Sequence, residues 1–242
     1  MVARPTPPAD RPLHDVFTAV PPRYDLINRL FTLGQDRRWR RLAARCCLEG
    51  HPSHLLDIGC GTGDLSIELA RLASEGTRID ALDFSAPMLE RARQKARQAG
   101  VSERITFIEG DATALPFPDR SLDVACIAFA FRNLVYRNPG RTRHLAEVFR
   151  VLEPGGRYVI VESSQPSNLV VRGICHLYES AFVGPVGGVL SGQPAAYRYL
   201  AESSRDFHSP REIEQMLRAA GFARVRYRPL LLGAAGLHVA ET

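Results

Sequence analysis

The residues best suited to chemistry in this chain lie where apolar runs stop at small or charged residues. The clearest case is Gly59-Cys60-Gly61-Thr62-Gly63. It follows Leu55-Leu56-Asp57-Ile58 and precedes a stretch with Leu65, Ile67, Leu69, Ala70 and Leu72 at its apolar positions. Strand, glycine turn and helix in that order place a ligand at the carboxyl end of a parallel sheet. Each glycine lets the backbone approach that ligand without a Cβ in the way. The spacing is G-x-G-x-G, whereas a pyrophosphate fingerprint reads G-x-G-x-x-G, and Asp64 would repel a pyrophosphate. About 20 residues further on, the run 78–83 ends in Asp83, a position suited to ribose hydroxyls. Ser85 is the better cap for the next helix, so capping and ribose binding can both be served. Together these features predict a nucleoside-bearing cofactor other than a dinucleotide.

Two later strand ends carry further candidates. Residues 104–109 read as a third strand followed by Gly110-Asp111-Ala112, where an acid beside a small residue would bracket a flat ring. Taken alone, Asp111 reads better as an ordinary turn acid. Residues 122–129 are apolar almost throughout, as in a strand buried on both faces, and lead into Ala130-Phe131-Arg132-Asn133. An Arg next to an Asn at the carboxyl end of a central strand stands where chemistry would occur. His238 falls on a late strand and reads as structural. No spacing of Cys, His or carboxylates suggests a metal site.

These positions require an alternating scaffold. Helical patterns at 36–48, 65–72, 85–99 and 141–152 separate strands at 55–58, 78–83, 104–109, 122–129 and 157–162. The predicted fold is α/β: a doubly wound, mainly parallel seven-stranded sheet, with residues 225–230 and 237–240 as an antiparallel hairpin at one edge. Residues 1–12, rich in Pro, read as a mobile tail, and 13–242 as a single domain. That domain carries N-terminal helices over 16–49 and an apolar insertion over 165–207 covering the active site. Helix 36–48 has an apolar stripe of Trp39, Leu42, Ala43, Cys46 and Cys47. Its other face carries Arg37, Arg38, Arg40, Arg41 and Arg45, read as a solvated face, with lipid contact as the functional alternative.

Composition sets the class. With 242 residues, 45% hydrophobic and 24% charged, the chain has material for one sizeable globular domain. The net charge is +5 and Lys95 is the only lysine, but the basic residues are scattered without a recognition motif, which argues against nucleic acid. Five Cys form neither a pairing framework nor a C-x-x-C pattern, as expected of reduced thiols in a cytoplasmic protein. No apolar run approaches the ~18 residues of a membrane span, and the N-terminus lacks a signal pattern.

Several stretches resemble a known family. Gly59-x-Gly61-x-Gly63, Asp83, Gly110-Asp111-Ala112, Leu115-Pro116-Phe117-Pro118-Asp119 and Arg150-Val151-Leu152-x-Pro154-Gly155-Gly156 are similar to the motifs of class I S-adenosylmethionine-dependent methyltransferases. The closer resemblance is to the ubiquinone/menaquinone biosynthesis C-methyltransferase family. It is carried by Tyr24-Asp25-x-x-Asn28, by Phe129-x-x-Arg132-Asn133, and by Ala196-Tyr197-x-Tyr199-Leu200-x-x-Ser203-x-Arg205-x-Phe207 with the terminal Gly236-Leu237-His238.

The resemblance implies S-adenosylmethionine as methyl donor, in contact with Gly59, Gly61, Thr62, Asp83 (ribose), Asp111 (adenine amine) and Ala112. It implies methyl transfer to a ring carbon of a polyprenylated quinol, a benzoquinol or a naphthoquinol. Arg132 would stabilise developing phenolate charge, Asn133 would orient the ring, and Tyr24 would close over the donor methyl. Peripheral contact with the inner face of the membrane and a homodimer are left open. The main alternative is a methyltransferase of this fold acting on a soluble aromatic molecule. A nicotinamide-dependent enzyme is disfavoured by the glycine spacing.

Overall fold

In the computed structural model, Asp25, Asn28, Arg29 and residues 31–183 and 203–242 are described. The mobile-tail reading of 1–12, the early helical turn at 16–20, Tyr24 and the core of the apolar insertion fall outside them. The elements are α1 (Gln35–Leu48), β1 (His54–Ile58), α2 (Asp64–Leu72), β2 (Arg78–Asp83), α3 (Ala86–Gln98), β3 (Ile105–Glu109), β4 (Leu122–Ala128), α4 (Phe131–Val135), α5 (Arg141–Val151), β5 (Leu152–Ser163), α6 (Leu169–Tyr178), α7 (Pro210–Ala219), β6 (Arg224–Leu230) and β7 (Ala235–Glu241).

The seven strands run in the order β3-β2-β1-β4-β5-β7-β6. β1 to β5 pair in parallel, and β7 runs antiparallel between β5 and β6. The expected hairpin is therefore present, with its second strand on the inside. Alternate residues of the central strands serve two cores. Val124, Cys126, Val159 and Val161 face Trp39, Ala43, Leu65 and Leu69 from α1 and α2. Ala125, Ile127, Tyr158 and Ile160 face Phe131, Leu145, Val148, Ile213 and Leu217 from α4, α5 and α7. Apolar residues on both faces of the strands are what a sheet covered on both sides requires.

Local chemistry sets the element ends. The Ser85 hydroxyl accepts from the Met88 amide and starts α3, and Ser209 with Glu212 forms a capping box at the start of α7. Arg150 on α5 ties the loop before β4 to the helix: its guanidinium donates to the carbonyls of Leu115 and Phe117 and to Asp119 and Glu147. Two motifs distant in sequence are thus joined by one side chain.

Two differences from the sequence reading have plain causes. The five-residue helix α4 was not expected, because so short a segment shows no periodicity. On α1, Arg40 is not on the solvated face. It is buried, pairs with the buried Asp36 at 2.5 Å, and lies over the Phe129 ring at 5.0 Å. An Asp four residues earlier and an aromatic face let a guanidinium enter the core.

α1 is fastened at its C-terminus by Arg157 of β5. The guanidinium donates to the carbonyls of Cys46 (3.2 Å), Cys47 (3.3 Å) and Glu49. These are acceptors that the end of a helix leaves without intrahelical donors. Arg157→Ala should lower stability by about 2 kcal/mol, the scale for charged hydrogen bonds, as read from the denaturant midpoint. Arg157→Lys should recover only part of that, since an ammonium lacks the planar fork.

Candidate active site

The strand order reverses between β1 and β4, so the crevice beyond their carboxyl ends is the place where a sheet of this kind binds ligands. The glycine turn leaves β1 there, and α4 leaves β4 beside it. Gly59, Gly61 and Gly63 have φ of +62°, +54° and +80°, a region costly for residues with a Cβ. A Cβ on Gly59 would lie 3.0 Å from that of Ala130, and one on Gly63 would lie 3.0 Å from that of Ala92. The turn is packed against β4's exit on one side and α3 on the other. At Gly61, by contrast, a Cβ would meet nothing within 4 Å.

Asp83 faces this turn. Its Oδ2 accepts from the Gly61 amide at 2.8 Å and its Oδ1 from the Ser85 amide at 2.9 Å. Burial pushes the carboxyl upward, against the hydrogen bonds from Ser85 and Gly61. Each carboxylate oxygen keeps a further lone pair for a ligand hydroxyl. The Gly110 amide donates to the Asp83 carbonyl at 3.0 Å, bringing the end of β3 alongside. Asp111 there is exposed, with one oxygen accepting from the Thr113 amide at 2.7 Å. Ala112 is buried, and its carbonyl is 3.1 Å from Nδ1 of His144. The open ground at Gly61, the Asp83 carboxylate and the Asp111-Ala112 edge fit an adenosine-bearing donor. These residues would hold it.

Thr62 stands in the same turn with its side chain already bonded. Its hydroxyl donates to Asp25 Oδ1 at 2.6 Å and accepts from the Lys95 ammonium at 3.0 Å. The Thr62 side chain is therefore engaged inside the protein, which leaves its backbone for a ligand. Lys95 also donates to Asp25 Oδ2 at 2.8 Å and Asp64 Oδ1 at 2.6 Å. Three ammonium donors thus meet three oxygens. Burial would raise the Asp64 carboxyl, but Arg40 and Lys95 bring it net downward. Its charge is met by these partners and is not simply turned on a ligand. Asp57, at the end of β1, is fully enclosed: Ser66 donates to its Oδ2 at 2.5 Å, Oδ1 has no partner, and burial pushes it up to about 7.

Phe129, at the exit of β4, holds φ +59°, an uncommon state for an aromatic residue that turns the chain into α4. Arg132 follows and is buried. Its amide donates to Glu162 Oε2 at 3.0 Å and its Nη1 to Ser163 Oγ at 2.8 Å, which fixes it against the end of β5. Its Nε is buried with no hydrogen-bond partner. Asn133 is half-buried beside it, with its carbonyl accepting from Asn138 Nδ2 at 2.9 Å. His238 is enclosed in the sheet, 4.7 Å from the Tyr227 ring, and burial lowers it to about 4. That fits its structural reading.

The structure thus brings Gly59, Gly61, Thr62, Asp83, Asp111, Ala112, Arg132 and Asn133 to one edge of the sheet. Tyr24 lies outside the described residues, and Asp25 next to it is bonded to Thr62. Sequence reasoning missed Lys95 and Asp25 as a joint. The signal was present in a single lysine among 31 basic residues.

The sequence of residues 7–242 matches the model of the ubiE/COQ5 methyltransferase family. The chain belongs to that family. It is 43% identical over 229 residues to a demethylmenaquinone methyltransferase of Deinococcus radiodurans, covering 95% of this chain and 92% of that one. Against the protein of the same name from Thermus thermophilus it is 42% identical, covering 93% and 99%. A ubiquinone/menaquinone biosynthesis C-methyltransferase of Geobacter sulfurreducens is 37% identical, covering 95% and 88%. Among solved structures, a SAM-dependent methyltransferase from Aquifex aeolicus superposes with a TM-score of 0.62 at 19% identity, covering 90% and 97%, a likeness of fold. The protein is a methyltransferase, and S-adenosylmethionine is its methyl donor.

Lys95 holds the glycine turn to Asp25. Lys95→Met should weaken S-adenosylmethionine binding about tenfold, or ~1.4 kcal/mol, with little change in acceptor KM. Calorimetric titration with the donor checks this.

Proposed function

We propose that this methyltransferase methylates a ring carbon of a polyprenylated quinol, with demethylmenaquinol, a naphthoquinol, as acceptor. The single observation that carries this reading is the buried Arg132, two residues beyond Ala130, where the glycine turn is contacted. A quinol carbon is nucleophilic only as a neighbouring hydroxyl gives up its proton. A fixed guanidinium in an enclosed site stabilises the oxyanion that develops. Arg does not act as the base itself, since it stays protonated.

S-adenosylmethionine supplies an electrophilic methyl on a sulfonium. Gly59, Gly61, Asp83, Asp111 and Ala112 would hold it, with the Thr62 backbone completing the turn. Asn133 would orient the ring, and Tyr24 would close over the donor methyl. In-line displacement depends on positioning, so the rigidity of the turn is part of the chemistry. The names of the relatives at 43% and 42% identity support the naphthoquinol over the benzoquinol.

The acceptor's tail needs apolar surroundings. Phe31, Tyr178 and Phe182 form an aromatic group: Tyr178 and Phe182 stack at 5.3 Å, and Phe31 meets Phe182 edge-on at 6.3 Å. Beside it, α6 exposes Leu169, Val170, Ile174 and Leu177. Leu231 and Leu232 are exposed on the turn that packs against Pro166, just before α6. Among the described residues no helix is long and apolar enough to cross a membrane. The exposed residues support peripheral contact with a lipid surface, with the protein on its cytoplasmic side.

Two outcomes are expected. Labelled methyl should pass to a short-chain demethylmenaquinol faster than to a methoxy-benzoquinol, and Arg132→Ala should lower kcat at least about hundredfold with donor binding retained. No label on either quinol, with transfer to a soluble phenol, would replace this reading. Sedimentation with vesicles should fall severalfold for Ile174→Glu with Leu232→Glu.

A further inference from the structure

Family membership and geometry leave one element of the reaction without a residue: the group that receives the quinol proton. Glu179 begins the π-helical turn Glu179–Val183 that follows α6. Such turns recur at functional sites. Its Oε1 accepts from the Ser204 hydroxyl at 2.6 Å, while its Oε2 is buried with no hydrogen-bond partner. Ser204 is itself anchored, because Gln165 Nε2 donates to its carbonyl at 2.7 Å and to that of Arg205 at 2.8 Å. Tyr178 and Phe182, which form an aromatic group with Phe31, flank Glu179 in the chain.

The second observation is on Arg132. Its charge acts on Glu179, yet no ion pair within 4 Å joins them among those described. Its Nε, like Glu179 Oε2, is buried and unpartnered. A buried donor of one charge and a buried acceptor of the other, both lacking a partner, are rare enough in folded proteins to need a reason. A ring hydroxyl between them supplies one, since its O–H can donate to the carboxylate and its oxygen can accept from the guanidinium.

Other acids nearby are engaged elsewhere. Glu162 accepts from the amides of Arg132 and Ser163 and from the Ser163 hydroxyl. Asp57 on β1 accepts from Ser66 of α2 through Oδ2, and although its Oδ1 also lacks a partner, the residue is enclosed in the core.

We propose that Glu179 is the catalytic residue that takes the acceptor's hydroxyl proton, working with Arg132. This rests on the quinol reading above. The hydroxyl proton passes to the Glu179 carboxylate, and Arg132 meets the charge left on oxygen. The electron pair of the ortho ring carbon forms the bond to the donor methyl. The S–CH3 bond breaks with its pair remaining on sulfur, and the sulfonium becomes a thioether. The ring carbon then loses its own hydrogen as a proton to water, restoring aromaticity, and the oxygen recovers its proton from Glu179. The balance is one methyl gained and one proton released, with no oxidant or reductant.

The environment of Glu179 suits the task. Burial pushes its carboxyl above the ordinary range, while the Ser204 hydrogen bond and the charges of Arg132, His176 and Arg205 pull the other way. Cys175 also lies within its electrostatic reach. A base must be ionised to act, so kcat should rise with pH through this group's titration.

The test is Glu179→Gln, which keeps the shape and removes the proton acceptor. Expected is a fall in kcat of about hundredfold or more, loss of the acid limb of the pH profile, and retained donor and acceptor Kd, the latter read by quenching of Trp39 fluorescence. Ser204→Ala removes a hydrogen bond to the ionised carboxylate, so the acid limb should move to higher pH with the fold intact. That shift also separates Glu179 from Asp57, which Ser204 does not touch. A kcat for Glu179→Gln within about threefold of wild type, or an unmoved limb in Ser204→Ala, overturns the proposal. Wild type inactive on quinols would sink the quinol reading, and this role with it. Wild type active on quinols with an unaffected Glu179→Gln sinks Glu179 alone.

Discussion

The turn after β1 has no room for a side chain at two places, and the site depends on that. Gly59 approaches Ala130 and Gly63 approaches Ala92 at distances a Cβ would close. The first contact fixes the distance between the glycine turn and the helix carrying Arg132. The second fixes α3 and so places Lys95 where it meets Thr62, Asp25 and Asp64. Small residues on both sides of each contact are one device used twice. It lets backbone approach backbone, and interior packing then holds the result with little play. A methyl-transfer site needs that rigidity, because small errors in placement are costly in rate.

The charges around the turn follow from the same crowding. Arg40 and Lys95 meet different oxygens of Asp64. Arg40 is also committed to Asp36 and to the Phe129 ring. Phe129 in turn carries the left-handed backbone that starts α4. A chain of contacts therefore runs from α1 through Phe129 to Arg132. Its ionic members are partly buried, so their attraction is less screened than at the surface, but the desolvation cost is greater too. Such a network specifies geometry more than it adds stability. A lysine at position 95 fits this account, since a compact ammonium can reach three oxygens arranged around a point, where a planar guanidinium suits a fork.

The sheet, its hairpin and the edge holding the site were legible because each rests on local signals: an apolar run, a glycine cluster, a capping serine, an acid at a fixed offset. Gly59, Gly61, Asp83 and Arg132 could be placed for that reason. What was not legible lay in contacts between distant residues. Arg40 reads as one more arginine on a solvated face until Asp36 and Phe129 are brought to it. The Thr62 hydroxyl shows no partner in the sequence until Asp25, 37 positions earlier, is brought to it. Glu179 has no periodic or motif signal at all. Its interest comes from the partner it lacks, which only the folded chain reveals.

His144 shows how such hidden contacts bear on function. It is fully enclosed, with Nδ1 3.1 Å from the Ala112 carbonyl and Nε2 3.1 Å from the Tyr158 hydroxyl. A carbonyl only accepts, so Nδ1 carries the hydrogen, and Nε2 is left to accept from Tyr158. Burial lowers His144 to about 4, and protonation would also set an N–H against a hydroxyl already donating. The ring is therefore neutral across the working range, and its bond to the Ala112 carbonyl does not change with pH there. In the unfolded chain the same histidine takes a proton near its ordinary value of about 6.5. Between that value and 4 the unfolded state binds more protons than the folded one, so this residue's contribution to stability falls as pH falls. The enclosure that steadies the Ala112 edge at neutral pH is thus a source of acid lability.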